Sequence, residues 1–177
     1  AVTAISSDGL LPAALEILDT ATIKAVEASV FAAGYPKDAG AVLVVEFDGT
    51  DAGLDADADR AAALCQAEGA REVRRATTAA ERMALWKGRK VAFGAFGRLA
   101  PDLIVQDATV PRTKLTEVLH RIGEIGAKHG FKVANVFHAG DGNLHPKLTF
   151  DRRKPGEVAR VEVASKEIMA ACVAAGG

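Results

Sequence analysis

The 177-residue sequence has only two cysteines, one tryptophan, one tyrosine and six prolines, and almost no net charge: 22 lysines and arginines stand against 23 acidic residues, for −1. Each shortage excludes something. Cys65 and Cys172 lie far apart with no CxxC spacing, so neither a zinc ribbon nor a thioredoxin-like redox motif is written here. Both read as small buried hydrophobes in a reducing, cytoplasmic compartment, with one disulfide as the weaker option. Without a basic surplus there is no footprint for displacing counterions from nucleic acid. No apolar run approaches the ~20 residues that span a bilayer, and no basic segment followed by an apolar one opens the chain. What is present is ordinary for one globular domain: 49% hydrophobic residues, 25% charged and 5% aromatic. The chain begins with Ala1 and stops at Gly177 straight after a helical pattern, so residues 1–177 read as a single domain cut from a longer protein.

Helix-period and strand-period segments alternate, with no repeat and no linker. The run Leu10–Leu18 fits a short strand or a helix start, and Pro12 favours the helix. Asp19–Phe31 carries a helical stripe (Ile23, Val26, Val30, Phe31) stopped by Gly34 and Pro36. Ala41–Phe47 is a β-branched run closed by the turn residues Asp48 and Gly49, a buried strand. Further helices are expected at Asp55–Glu68, Thr78–Phe96, Lys114–His129 and Pro155–Ala175. Strands are expected at Arg71–Arg75, Leu103–Val110, Lys132–His138 and Leu144–Phe150. The last two strands make a hairpin, which favours an α+β fold, a ferredoxin-like antiparallel sheet with helices on one face, over a parallel doubly wound sheet.

The hairpin carries the chemistry, in the string His138-Ala139-Gly140-Asp141-Gly142-Asn143-Leu144-His145-Pro146. Asp-Gly between two alternating runs signals a two-residue turn. Centred on Asp141–Gly142, that turn opposes His138 to His145. Their Cβ atoms would then lie ~4.5–5.5 Å apart, within reach of a shared ion. Val133, Phe137, Leu144, Leu148 and Phe150 fall on the other, core-facing side. Two imidazoles leave a divalent ion short of ligands, and Asp141, Glu46 or a residue beyond Gly177 are the available carboxylates. Such a mixed site suits zinc, manganese or iron(II). The bland alternative is a histidine pair that only hydrogen-bonds its neighbours.

This string resembles the C-terminal half of FAD-linked oxidases of the vanillyl-alcohol-oxidase type, most of all the glycolate oxidase D subunit and the D-lactate and D-2-hydroxyglutarate dehydrogenases. PAALEILD (Pro12–Asp19), AAGYPKDAGAVLVVEFDG (Ala32–Gly49), LWKGRKVAFGAFGRLAP (Leu85–Pro101) and QDATVPR (Gln106–Arg112) match the same family in order and spacing. The resemblance implies a cap or substrate domain that meets a separate N-terminal FAD domain around a small 2-hydroxy acid. Electrons would leave through a partner, an iron–sulfur electron-transfer subunit, at the inner face of the membrane. It makes His138 and His145 metal ligands and Arg89 the grip on the substrate carboxylate, a bidentate job that suits a guanidinium. Lys147 and Asn143 join as substrate contacts, and Asn143 also faces the flavin. The family's third ligand (Glu) and catalytic His belong to a GEHG-type motif past Gly177, so no catalytic residue is expected here and the isolated chain is expected to be inactive.

Other residues carry plainer readings. Lys87, Arg89 and Lys90 also fit a solvated helix face, Trp86 a core position, and Arg112 a loop cation. His120 and His129 sit on an amphipathic helix as non-ligands. Two rival functions are a stand-alone ferredoxin-like binding module with a structural histidine pair, and a metallophosphoesterase, which the missing upstream Asp-x-His disfavours.

Overall fold

The computed structural model describes residues 1–49 and 51–177. In chain order its elements are α1 (Val2–Ser7), β1 (Ala14–Asp19), α2 (Thr20–Glu27), β2 (Ala41–Glu46), α3 (Asp51–Ala67), α4 (Ala79–Ala95), β3 (Asp102–Val105), β4 (Ala108–Thr109), α5 (Leu115–His129), β5 (Lys132–His138), β6 (Asn143–Leu144), β7 (Pro146–Phe150) and α6 (Glu157–Ala174). Every strand pairing is antiparallel. β2 lies beside β1 and β1 beside β5. The far side of β5 is taken by β6 and β7, two parts of one line broken at His145. β3 and β4, a second broken line, close that side of the sheet.

The α+β class is as expected, but the helices are divided between the two faces of the sheet rather than gathered on one. Alternation along β5 explains it. Phe137 and Val133 point to a core built with Leu144, Leu148, α5 and α6, while Ala134 and Val136 point to a second core with Ile23 and Val26 of α2 and Ala92 and Ala95 of α4. A central strand buried on both faces needs a helix layer on each.

Several local expectations change for similar reasons. Leu10–Leu18 resolves into loop and strand β1, because Leu15 and Leu18 are needed in a buried ladder between β2 and β5. Strand β2 is an edge strand with only Val44 buried. Residues Arg71–Arg75 form no strand. Their arginines make ion pairs, Arg71 with Asp38, Arg74 with Glu72 and Arg75 with Asp55 and Asp59. The Leu103–Val110 strand is interrupted at Gln106–Asp107.

Helix starts follow their side chains. Asp19 caps α2 by accepting from Thr22 N–H at 2.8 Å, and its second oxygen accepts from the Asn135 backbone and side-chain amides at 2.8 and 2.9 Å. Thr78 and Glu81 make a capping box on α4. Both cysteines are free, Cys172 buried and Cys65 half-buried. Among the described residues no helix is long and apolar enough to cross a membrane.

Candidate functional site

The turn between β5 and β6 differs from the two-residue expectation. His138 lies opposite Asn143, and Asn135 opposite Pro146, so the loop is the four residues Ala139–Gly142. Gly142 alone in that loop has positive φ, 71°, which fits a four-residue loop closed by a left-handed glycine. A Cβ there would sit 2.1 Å from the Val110 carbonyl. The register therefore shifts by two residues. Because side chains alternate with period two, an even shift changes partners without changing faces.

His138 and His145 consequently still meet. Their ring centroids are 5.4 Å apart and the planes are nearly perpendicular, at 86°. His145 sits at the break between β6 and β7. Burial pushes its imidazole below the usual range, with Asp107, 3.6 Å away, pulling the other way. A neutral imidazole is the form that ligates a metal.

The group that sequence reasoning missed is Glu16. It lies on β1 directly opposite His138, is 4% exposed, and touches two site residues at once. One carboxylate oxygen is 2.5 Å from His138 Nδ1 and the other accepts from Arg89 Nε at 2.7 Å. A glutamate inside the apolar string ALEIL was the available signal, since a charge in a buried strand demands a partner. Of the carboxylates considered from sequence, Glu46 is committed elsewhere. Arg82 and Trp86 Nε1 donate to it, and the Arg82 guanidinium holds its carboxyl below the usual range. Asp141 is exposed in the turn.

Lys147 is on the same face but buried. Its ammonium donates to the carbonyls of His145 at 2.6 Å and Val136 at 3.0 Å, and stands 5.7 Å from the centre of the Phe96 ring. Burial, and then the charge of Arg89, lower its pKa to about 8. Asn143 is half-buried beside His138, and its side-chain Oδ1 is buried without a hydrogen-bond partner. Arg89 reaches the cluster from α4, whereas Trp86 packs in the second core. Arg112 donates to Ser6 Oγ at 3.0 Å and to the Gly140 carbonyl at 3.4 Å, tying α1 to the histidine turn. His120 is exposed, and His129 lies 3.2 Å from Glu167.

Beside the cluster opens a cavity of ≈ 300 Å³, walled by Leu10, Leu11, Pro12 and Ala14 on one side and by His138, Asp141 and Arg112 on the other. The arrangement offers two imidazoles as metal donors and a guanidinium for an anion. Among the described residues no three carboxylate, imidazole or thiol groups stand ready to enclose an ion, so a metal held by the two imidazoles would need further donors from outside these residues.

The family model of the C-terminal domain of FAD-linked oxidases matches residues 1–177. Glycolate oxidase subunit GlcD of Escherichia coli (strain K12) is 44% identical over all 177 residues, which span 35% of its length. The subunit of the same name from Bacillus subtilis is 39% identical over 168 residues, 95% of this chain and 36% of that protein. A D-lactate dehydrogenase of Archaeoglobus fulgidus is 29% identical over 136 residues, 77% of this chain and 29% of its own.

Proposed function

The chain belongs to the family of C-terminal domains of FAD-linked oxidases, and from that premise we propose that it supplies the substrate-side wall of an FAD-dependent 2-hydroxy acid oxidase or dehydrogenase acting on glycolate or D-lactate. The relatives it matches are about three times its length, which supports a flavin-bearing domain elsewhere in the whole protein. The observation that carries the reading is the meeting of His138 and His145, 5.4 Å apart, with Arg89 held beside them by Glu16.

In this reading His138 and His145 hold a divalent zinc, manganese or iron ion whose remaining ligands lie outside residues 1–177. Such an ion, when bound, would acidify a hydroxyl coordinated to it. The chain's own residues bind and orient. Arg89 offers its guanidinium to the substrate carboxylate. Asn143, whose buried Oδ1 has no hydrogen-bond partner among the described residues, would in this reading meet the substrate or the flavin edge. Lys147 acts one step back: its ammonium is spent on the His145 and Val136 carbonyls, which supports fixing His145 over touching substrate. An iron–sulfur partner and a place at the inner membrane face remain part of the proposal.

Calorimetric titration of the 177-residue chain with Zn²⁺ or Mn²⁺ tests the site. Saturable binding by the wild type that is lost in His138→Ala is the expected outcome. Equal binding by both chains overturns the metal reading and favours a histidine pair that only supports the fold.

A further inference from the structure

We propose that Glu16 is a positioning residue that sets the tautomer of His138 and the docking edge of Arg89 together. The inference deepens the reading above and rests on it only for the nature of the ligand.

A carboxylate oxygen accepts hydrogen bonds and donates none. At 2.5 Å from His138 Nδ1, and with Arg89 Nε–H already on its other oxygen, Glu16 requires the proton of a neutral His138 to sit on Nδ1. The lone pair of that ring then lies on Nε2, for which no hydrogen-bond partner occurs among the described residues. An imidazole whose far nitrogen donates to a carboxylate is a more basic and better oriented ligand.

The same carboxylate acts on Arg89. A guanidinium can face an anion side-on, through Nε and one terminal nitrogen, or end-on, through both terminal nitrogens. Glu16 occupies Nε, so the end-on edge is what remains for a ligand carboxylate. Glu16 is fit for this double duty because it is fixed. It is 4% exposed, sits in a strand paired on both sides, and has little freedom to follow either partner elsewhere.

Glutamine in its place keeps the shape but offers one accepting oxygen and one donating NH₂. Arg89 and His138 sit on different oxygens of Glu16, so the one amide oxygen replaces the acceptor of only one of them. With the oxygen on Arg89, the amide donates to Nδ1 and drives the imidazole proton to Nε2.

The test is ¹⁵N-histidine NMR of the metal-free 177-residue chain at a pH where the imidazoles are neutral, with His138 assigned through His138→Ala. The wild type should show the Nδ1–H tautomer at His138. Glu16→Gln should move His138 toward Nε2–H with the His145 signals in place, and weaken Zn²⁺ binding by about 10- to 100-fold. An Nε2–H tautomer in the wild type overturns the proposal, as does a folded Glu16→Gln chain with the wild-type tautomer and wild-type affinity. If Glu16→Gln does not fold, Glu16→Asp decides. The shorter carboxylate cannot span both partners, and an unchanged His138 tautomer and Zn²⁺ affinity overturn the idea. A wild type with Nδ1–H that takes up no Zn²⁺ supports the positioning of His138 and overturns the metal reading instead.

Discussion

Lys147 shows how a single charge is managed at this site. The residue is 3% exposed, and its ammonium rests on two carbonyls instead of a carboxylate, under the further repulsion of Arg89, so its pKa falls to about 8. In the unfolded chain the same group keeps its proton to ~10.4. Between those two values the unfolded chain binds more protons than the folded one, so stability gains with rising pH across that window. The penalty of the buried charge is fully present below pH 8 and relieved above it. Urea unfolding of the wild type and of Lys147→Met at pH 7 and pH 10 isolates the effect. The stability difference, wild type minus variant, should rise by on the order of 2 kcal/mol between the two. A difference that stays flat would show that the ammonium is solvated.

At the scale of elements, α4 delivers Arg89 and is seated by a close approach. A Cβ on Gly88 would lie 2.1 Å from the Tyr35 ring, whose hydroxyl donates to the Leu85 carbonyl at 2.8 Å. Gly94, on the same helix, meets nothing within 4 Å. The helix interior prefers alanine to glycine by ~1 kcal/mol, so the two positions should respond with opposite signs. Gly94→Ala is expected to raise the urea midpoint slightly. Gly88→Ala is expected to cost about 1–3 kcal/mol through overpacking. Stabilisation by Gly88→Ala would mean that the ring moves aside freely.

The elements also show what the sequence makes legible. The helices with caps and stripes, α2, α4 and α5, are readable because those signals are local. So is the face shared by His138 and His145, since alternation survives an even register shift. The turn type is not legible from Asp-Gly alone: the Gly142 carbonyl accepts from Val110 N–H and the Val110 carbonyl leaves no room for a Cβ at Gly142, contacts that come from outside the hairpin. Glu16 escapes notice as a site residue because its partners lie 73 and 122 positions away, and no local pattern encodes that distance. The same limit applies to the second helix layer, which depends on where β5 sits within the sheet.

Over the whole molecule, β5 joins two cores that share no helix. Phe137 faces one, with Ile168 of α6 fully buried there, and Val136 faces the other, where Trp86 packs. A strand common to both should make them unfold together. Trp86, the only tryptophan, reports on one core. Ile168→Ala, a cavity in the other, should lower stability by ~2–5 kcal/mol. The fluorescence transition and the far-ultraviolet circular dichroism transition should then shift by the same amount. A fluorescence transition that stays in place would separate the cores into independent units.

The pairing of β1 with β5 has a consequence for synthesis. As the polypeptide emerges, β1 and β2 are made early and can form a two-stranded ribbon, but the strand that completes the inner edge of β1 arrives more than a hundred residues later. Until then that edge is open to other chains, and a lone ribbon is marginal in water. Through this interval Glu16 is a hydrated charge in the middle of an apolar segment, which discourages the ribbon from stacking on a neighbour. The residue that organises the finished site would thus guard the nascent chain until its own partners exist.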